Sequence, residues 1–69
     1  MEYKDYVISE FVNDKGQWQA KIRRRDGKHM LVDGAKVDVF HTPHVGSENE
    51  ASRLAKQVID AGKVSTARD

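Results

Sequence analysis

Cysteine is absent from the 69 residues, proline and tryptophan occur once each, and phenylalanine and tyrosine twice each. Without thiols there is no disulfide, no thiolate metal site and no cysteine nucleophile, so the usual staples of a small extracellular module are missing. Packing alone, or a partner chain, must hold the fold together. No apolar run approaches the roughly 20 residues that cross a bilayer, and Met1-Glu2-Tyr3-Lys4-Asp5 lacks the basic-then-apolar layout of a secretory leader. A cytoplasmic protein with no membrane partner is expected. Enzyme signatures are missing as well. The chain has no Gly-rich phosphate loop, no Gly-x-Ser-x-Gly elbow and no pair of carboxylates that its spacing forces together. A chain this short buries only about 60% of the surface that it exposes when unfolded, which leaves little room for a deep cleft. A binding domain without catalysis or cofactor is the expectation.

Charge is plentiful but uneven. Twelve Lys and Arg face eleven Asp and Glu, for a net charge of +1. Residues 1–14 hold one Lys and four acids, residues 15–36 seven Lys or Arg and two acids, and residues 37–69 four and five. The middle segment therefore carries +5, concentrated in Lys21-Ile22-Arg23-Arg24-Arg25, and can attract phosphates.

The run Tyr6-Val7-Ile8-Ser9-Glu10-Phe11-Val12 is rich in β-branched and aromatic residues and ends at Asn13-Asp14-Lys15-Gly16. From Gln17 onward Trp18, Ala20 and Ile22 alternate with Gln19, Lys21 and Arg23, the period of two of a strand with one face buried. Together these predict a β-hairpin. Asp26-Gly27 reads as a second hairpin turn, leading to a third strand somewhere in residues 29–40. Asp33-Gly34 divides that region, as a bulge in one bent strand or as a turn between two. Ser47-Glu48-Asn49-Glu50 has capping-box spacing. It opens a helix whose Ala51, Leu54, Ala55, Val58 and Ile59 form one apolar stripe and which Gly62 ends. The fold class is α+β. An antiparallel sheet of three or four strands is followed by one amphipathic helix packed on one sheet face, in a single ββ(β)α domain over residues 1–64 with residues 65–69 as a frayed tail. The expected core is Ile8, Trp18, Ile22, Val37, Val39, Leu54, Val58 and Ile59. Phe11 lies on the opposite face from Tyr6, Ile8 and Val12, so it is exposed unless the first strand has a bulge.

Tyr3-x-x-Tyr6-x-Ile8, Gly16-Gln17-Trp18, Ser47-x-x-Glu50-Ala51 and Ile59-Asp60-Ala61-Gly62-Lys63-Val64 resemble a group of short bacterial proteins with a ββ(β)α layout and no established function. That resemblance spans most of the chain and implies a fold rather than an activity. A more distant similarity is to the DNA-binding domain of plant ethylene-response factors and to integrase arm domains. Both put three antiparallel strands before one helix and insert the exposed sheet face into the DNA major groove. Gly16-Gln17-Trp18-Gln19-Ala20-Lys21-Ile22-Arg23 matches the Gly-x-Trp-x-Ala-x-Ile-Arg motif of the plant family, whereas Ser9 and Glu10 stand where that family's first strand carries arginines.

The candidate site is the polar side of the second strand: Gln17, Gln19, Lys21, Arg23 and Arg25. Arg and Lys neutralise phosphates, and Arg and Gln can read base edges. The same residues also suit a solvated face that shields the sheet from edge aggregation, and a pI of 8.1 is low for a nucleic-acid domain. A protein partner or a homodimer is the alternative, through sheet edges and the apolar Phe11, Met30, Leu31 and Phe40. Trp18, Tyr3 and Tyr6 could make a stacking platform, but the alternation places Trp18 in the core. His41 and His44, with His29 and Asp38, have no recognised metal-ligand spacing, and no metal is expected.

Overall fold

The computed structural model describes residues 1–66, and Ala67, Arg68 and Asp69 lie outside the described residues. Seven strands and one helix follow in chain order: β1 (Glu2–Tyr3), β2 (Tyr6–Val12), β3 (Trp18–Arg24), β4 (Met30–Val32), β5 (Ala35–Val37), β6 (Phe40–His41), α1 (Glu48–Asp60) and β7 (Val64–Thr66). They form a four-stranded sheet, β1-β2-β3-β6, and a three-stranded sheet, β5-β4-β7, with every pairing antiparallel. The molecule is α+β, with the helix packed on β2 and β3.

The β2–β3 hairpin is the frame. Its register runs unbroken from Tyr6↔Arg24 to Val12↔Trp18. With no bulge, Phe11 points away from the core and is exposed. The turn is fixed by Asn13, whose Oδ1 accepts from the backbone N–H of Lys15 (2.9 Å) and of Gln17 (3.0 Å). Gly16, at φ +77, takes the left-handed conformation that lets the connection of residues 13–17 between β2 and β3 close.

After Arg24 the chain departs from the sequence expectation. Arg25-Asp26-Gly27 does turn, with the Gly27 N–H donating to the Arg24 carbonyl and the Lys28 N–H to Asp26 Oδ1. It is not a hairpin turn, because the strand after it joins the other sheet. Residues 29–40 hold two short strands and not one bent one. Asp33-Gly34 is the two-residue hairpin turn between β4 and β5, with φ +51 and +82, the pair of positive values that a type I′ turn demands. The third neighbour in the main sheet is instead β6, which pairs only Phe40 with Ile22 and His41 with Lys21. The fold also gains a strand that the sequence did not announce. Ser65 and Thr66, taken above as tail, continue from Val64 as β7 along β4.

Helix α1 starts at Ser47, whose hydroxyl accepts from the Glu50 N–H at 3.2 Å. The reciprocal bond of the capping box is shifted by one residue, since Glu50 Oε2 accepts from the Gly46 N–H and not from that of Ser47. At the other end the Lys63 N–H donates to the Val58 carbonyl and the Gly62 N–H to that of Ile59, a Schellman reversal that turns the chain into β7. Tyr6, Ile8, Ala20, Ile22, Met30, Ala51, Ala55, Val58, Ile59 and Val64 form the buried core. Four of the expected eight are there; Trp18, Val37, Val39 and Leu54 are half-buried instead. Trp18 sits at the end of the sheet, bonded in both directions to the backbone of Val45 (2.8 Å each) and packed against the cluster. The helix rests on the sheet through small residues, Ala51 and Ala55 above and Ala20 below, all with no exposure. Among the described residues no helix is long and apolar enough to cross a membrane.

Candidate functional site

Because α1 covers one face of the four-stranded sheet, the strand alternation sends Val7, Ser9 and Phe11 of β2, Gln19, Lys21 and Arg23 of β3, and His41 of β6 to the other. Of the five residues singled out in the sequence, the structure aligns Gln19, Lys21 and Arg23 on this open face. It does not add Gln17 and Arg25 to that row as strand residues. Gln17 precedes β3 and belongs to the hairpin loop, where its Oε1 accepts from Asn13 Nδ2 at 3.1 Å. Arg25 follows β3 in a turn. Its guanidinium lies 3.7 Å from Glu2 and 3.9 Å from Asp5, and its backbone N–H donates to the Asp5 carbonyl. Such exposed pairs contribute little to stability, but they direct the Arg25 charge toward the β1–β2 edge.

Gln19 is fixed by a different contact. Its Nε2 donates to the Thr42 carbonyl at 2.8 Å. Thr42 is the one buried polar residue among those described, and it finishes the β3–β6 ladder with its side chain. The Thr42 Oγ1 accepts from the Ala20 N–H (2.9 Å) and donates to the Pro43 carbonyl (3.2 Å), while the Thr42 N–H donates to the Ala20 carbonyl (2.9 Å). A single threonine in a Pro-containing connector carries no periodic signal, and sequence reasoning missed it.

Lys21 and Arg23 have no ion-pair partner among the described residues. They line an open groove of about 250 Å³ together with Arg24, Lys28 and Asp38. Arg24 belongs to the helix-side row of β3 and is largely buried. It pairs with Asp26 at 2.6 Å and donates to the His29 carbonyl at 3.3 Å, so its charge is committed within the protein. The one acid lining the groove, Asp38, lies 2.9 Å from His29 Nε2. A further carboxylate, Glu2, faces the open side from β1, opposite Val7.

Toward the other end of the face, Phe11 and His41 reach across β3 and meet edge to face, with ring centroids 5.9 Å apart and planes at 78°. The alternation of β2 had already set Phe11 outside; its histidine neighbour depends on β6 pairing with β3, which the sequence did not show. Met30, considered above for a protein interface, is completely buried, and Leu31 and Phe40 are half-buried. Of that apolar group only Phe11 is exposed. Among the described residues no three His, Asp or Glu side chains gather as a metal site. Tyr3, whose hydroxyl donates to Asp60, Tyr6 in the core and Trp18 packed against it all belong to the helix side, so these three make no platform on the open face.

No protein-family model, curated protein or solved structure matches the chain.

Proposed function

We propose that this protein binds nucleic acid, without catalysis or cofactor, through the helix-free face of its four-stranded sheet. One observation carries the proposal: Lys21 and Arg23 stand on that face two residues apart on β3, unpaired among the described residues, while their neighbours Arg24 and Arg25 are engaged by carboxylates. Free cations on a rigid strand neutralise phosphates and release counterions. Gln19, anchored through its Nε2 on Thr42, keeps Oε1 available to accept from a base amino group. The resemblance of Gly16 to Arg23 to the strand motif of ethylene-response factors points the same way, as an analogy of pattern. A cytoplasmic location and small bacterial relatives of like layout belong to the same proposal.

Salt dependence tests it. In fluorescence anisotropy with a labelled mixed-sequence oligonucleotide, Lys21→Ala and Arg23→Ala should each weaken binding and reduce the slope of log affinity against log salt by about 0.7 to 0.9. Unchanged slopes in both variants would remove the sheet face as the site.

A further inference from the structure

Resting on that nucleic-acid reading, we infer that the ligand of the open face is a single strand, one of whose bases stacks on Phe11 while its phosphates follow Lys21 and Arg23. Phe11 is 39% exposed because the unbroken β2–β3 register sets it on the open face, and it contributes nothing to the buried core. His41 packs against it with ring centroids 5.9 Å apart and planes at 78°, and Phe11 still stays exposed.

The spacing is that of a strand track. Phe11 sits opposite Gln19, and Lys21 and Arg23 follow two and four residues along β3. At a rise of about 3.4 Å per residue, the two cations lie roughly 7 and 14 Å along the strand from the aromatic position. A single strand can turn a base out onto a phenyl ring and still lay its phosphates on neighbouring cations. A duplex cannot, because its bases are stacked inside and show only edges, for which a phenyl ring offers little beyond contact with a thymine methyl. Gln19, the one amide between ring and cations, is tethered to the Thr42 carbonyl, so base identity is read weakly and binding is tolerant of sequence.

The test compares a mixed-sequence single-stranded oligodeoxynucleotide with the duplex formed from it and its complement, at low salt, against the wild type, Phe11→Ala and Phe11→Trp. The single strand should bind the wild type more tightly than the duplex does. Phe11→Ala should weaken single-strand binding about 5- to 150-fold and leave duplex binding unchanged, and Phe11→Trp should restore it. The wild-type Phe11 ring proton resonances should move upfield with the single strand, a readout that needs no variant. Duplex binding as tight as or tighter than single-strand binding, with Phe11→Ala without effect, would overturn this inference and leave nucleic-acid binding by Lys21 and Arg23 standing. If neither form binds, both fall.

Discussion

Thr42 occupies a place where one hydroxyl decides whether a core strand is satisfied. Ala20 is completely buried, and its N–H reaches only the Thr42 Oγ1. Thr42→Val keeps the volume and removes that acceptor, leaving a buried donor unpaired, and should cost about 1 to 3 kcal/mol. Urea unfolding monitored by Trp18 fluorescence measures it, and Thr42→Ser should retain most of the stability. A second residue-scale device joins the β1–β2 turn to the end of the helix: Tyr3 Oη and Lys4 Nζ both donate to the Asp60 carboxylate. These bonds, that from Lys4 foremost, hold the Asp60 carboxyl below the usual carboxylate range, and the same carboxylate pushes the Tyr3 phenol up. An acid with a depressed folded pKa stabilises above its unfolded value and loses that contribution as pH falls through the folded one. A phenol with a raised pKa stabilises below its unfolded value and loses that contribution as pH rises through the folded one. Stability should therefore decline below about pH 4 and again above about pH 10. Asp60→Asn should flatten part of both declines, as unfolding midpoints across the pH range would show. Identical profiles for Asp60→Asn and wild type would remove this cluster from the account.

Among elements, α1 has the most closely specified ends. The Schellman reversal needs Gly62 at φ +77, and a Cβ there would meet no neighbouring atom, so the cost of Gly62→Ala is conformational. It should destabilise by about 1 to 2 kcal/mol, with loosened amides in β7 seen by hydrogen exchange, because the turn aims the chain along β4. The helix and the β2–β3 hairpin were legible from sequence because each is long enough to repeat its period several times. Ser47 and Gly62 also mark the helix ends by mechanisms that act within a few residues. The region 25–41 was not legible for the opposite reason. Strands of two or three residues carry less than two periods, and β4 finds a partner in β7, more than thirty residues away, which no local pattern encodes. The two Asp-Gly pairs illustrate it. Asp33-Gly34 makes the tight hairpin because Val32 and Ala35 pair across it, whereas the strand before Asp26-Gly27 keeps its place in the main sheet and the chain after it leaves for the other.

Across the whole molecule, the core is thin and partly built from alanine. Ala20, Ala51 and Ala55 are completely buried between helix and sheet, whereas Trp18, at the end of the sheet, and Leu54 are half-buried. Sequence patterning found the correct faces but favoured large residues over these. It likewise placed Gln19, Lys21 and Arg23 together, since a strand's alternation is local. The loss of Gln17 to a loop and of Arg25 to Glu2 and Asp5 required the tertiary arrangement. The central claim is that the charge left free, Lys21 and Arg23 on the face opposite the helix, is there to meet phosphates. It is tested most directly by NMR titration of the labelled protein with mixed-sequence nucleic acid, single-stranded and duplex, at low and at physiological salt. The account predicts shifts confined to the open face, centred on Gln19 to Arg23 and shrinking steeply as salt rises. Spectra that do not move, or shifts centred on the helix or on the β5-β4-β7 sheet, would contradict it.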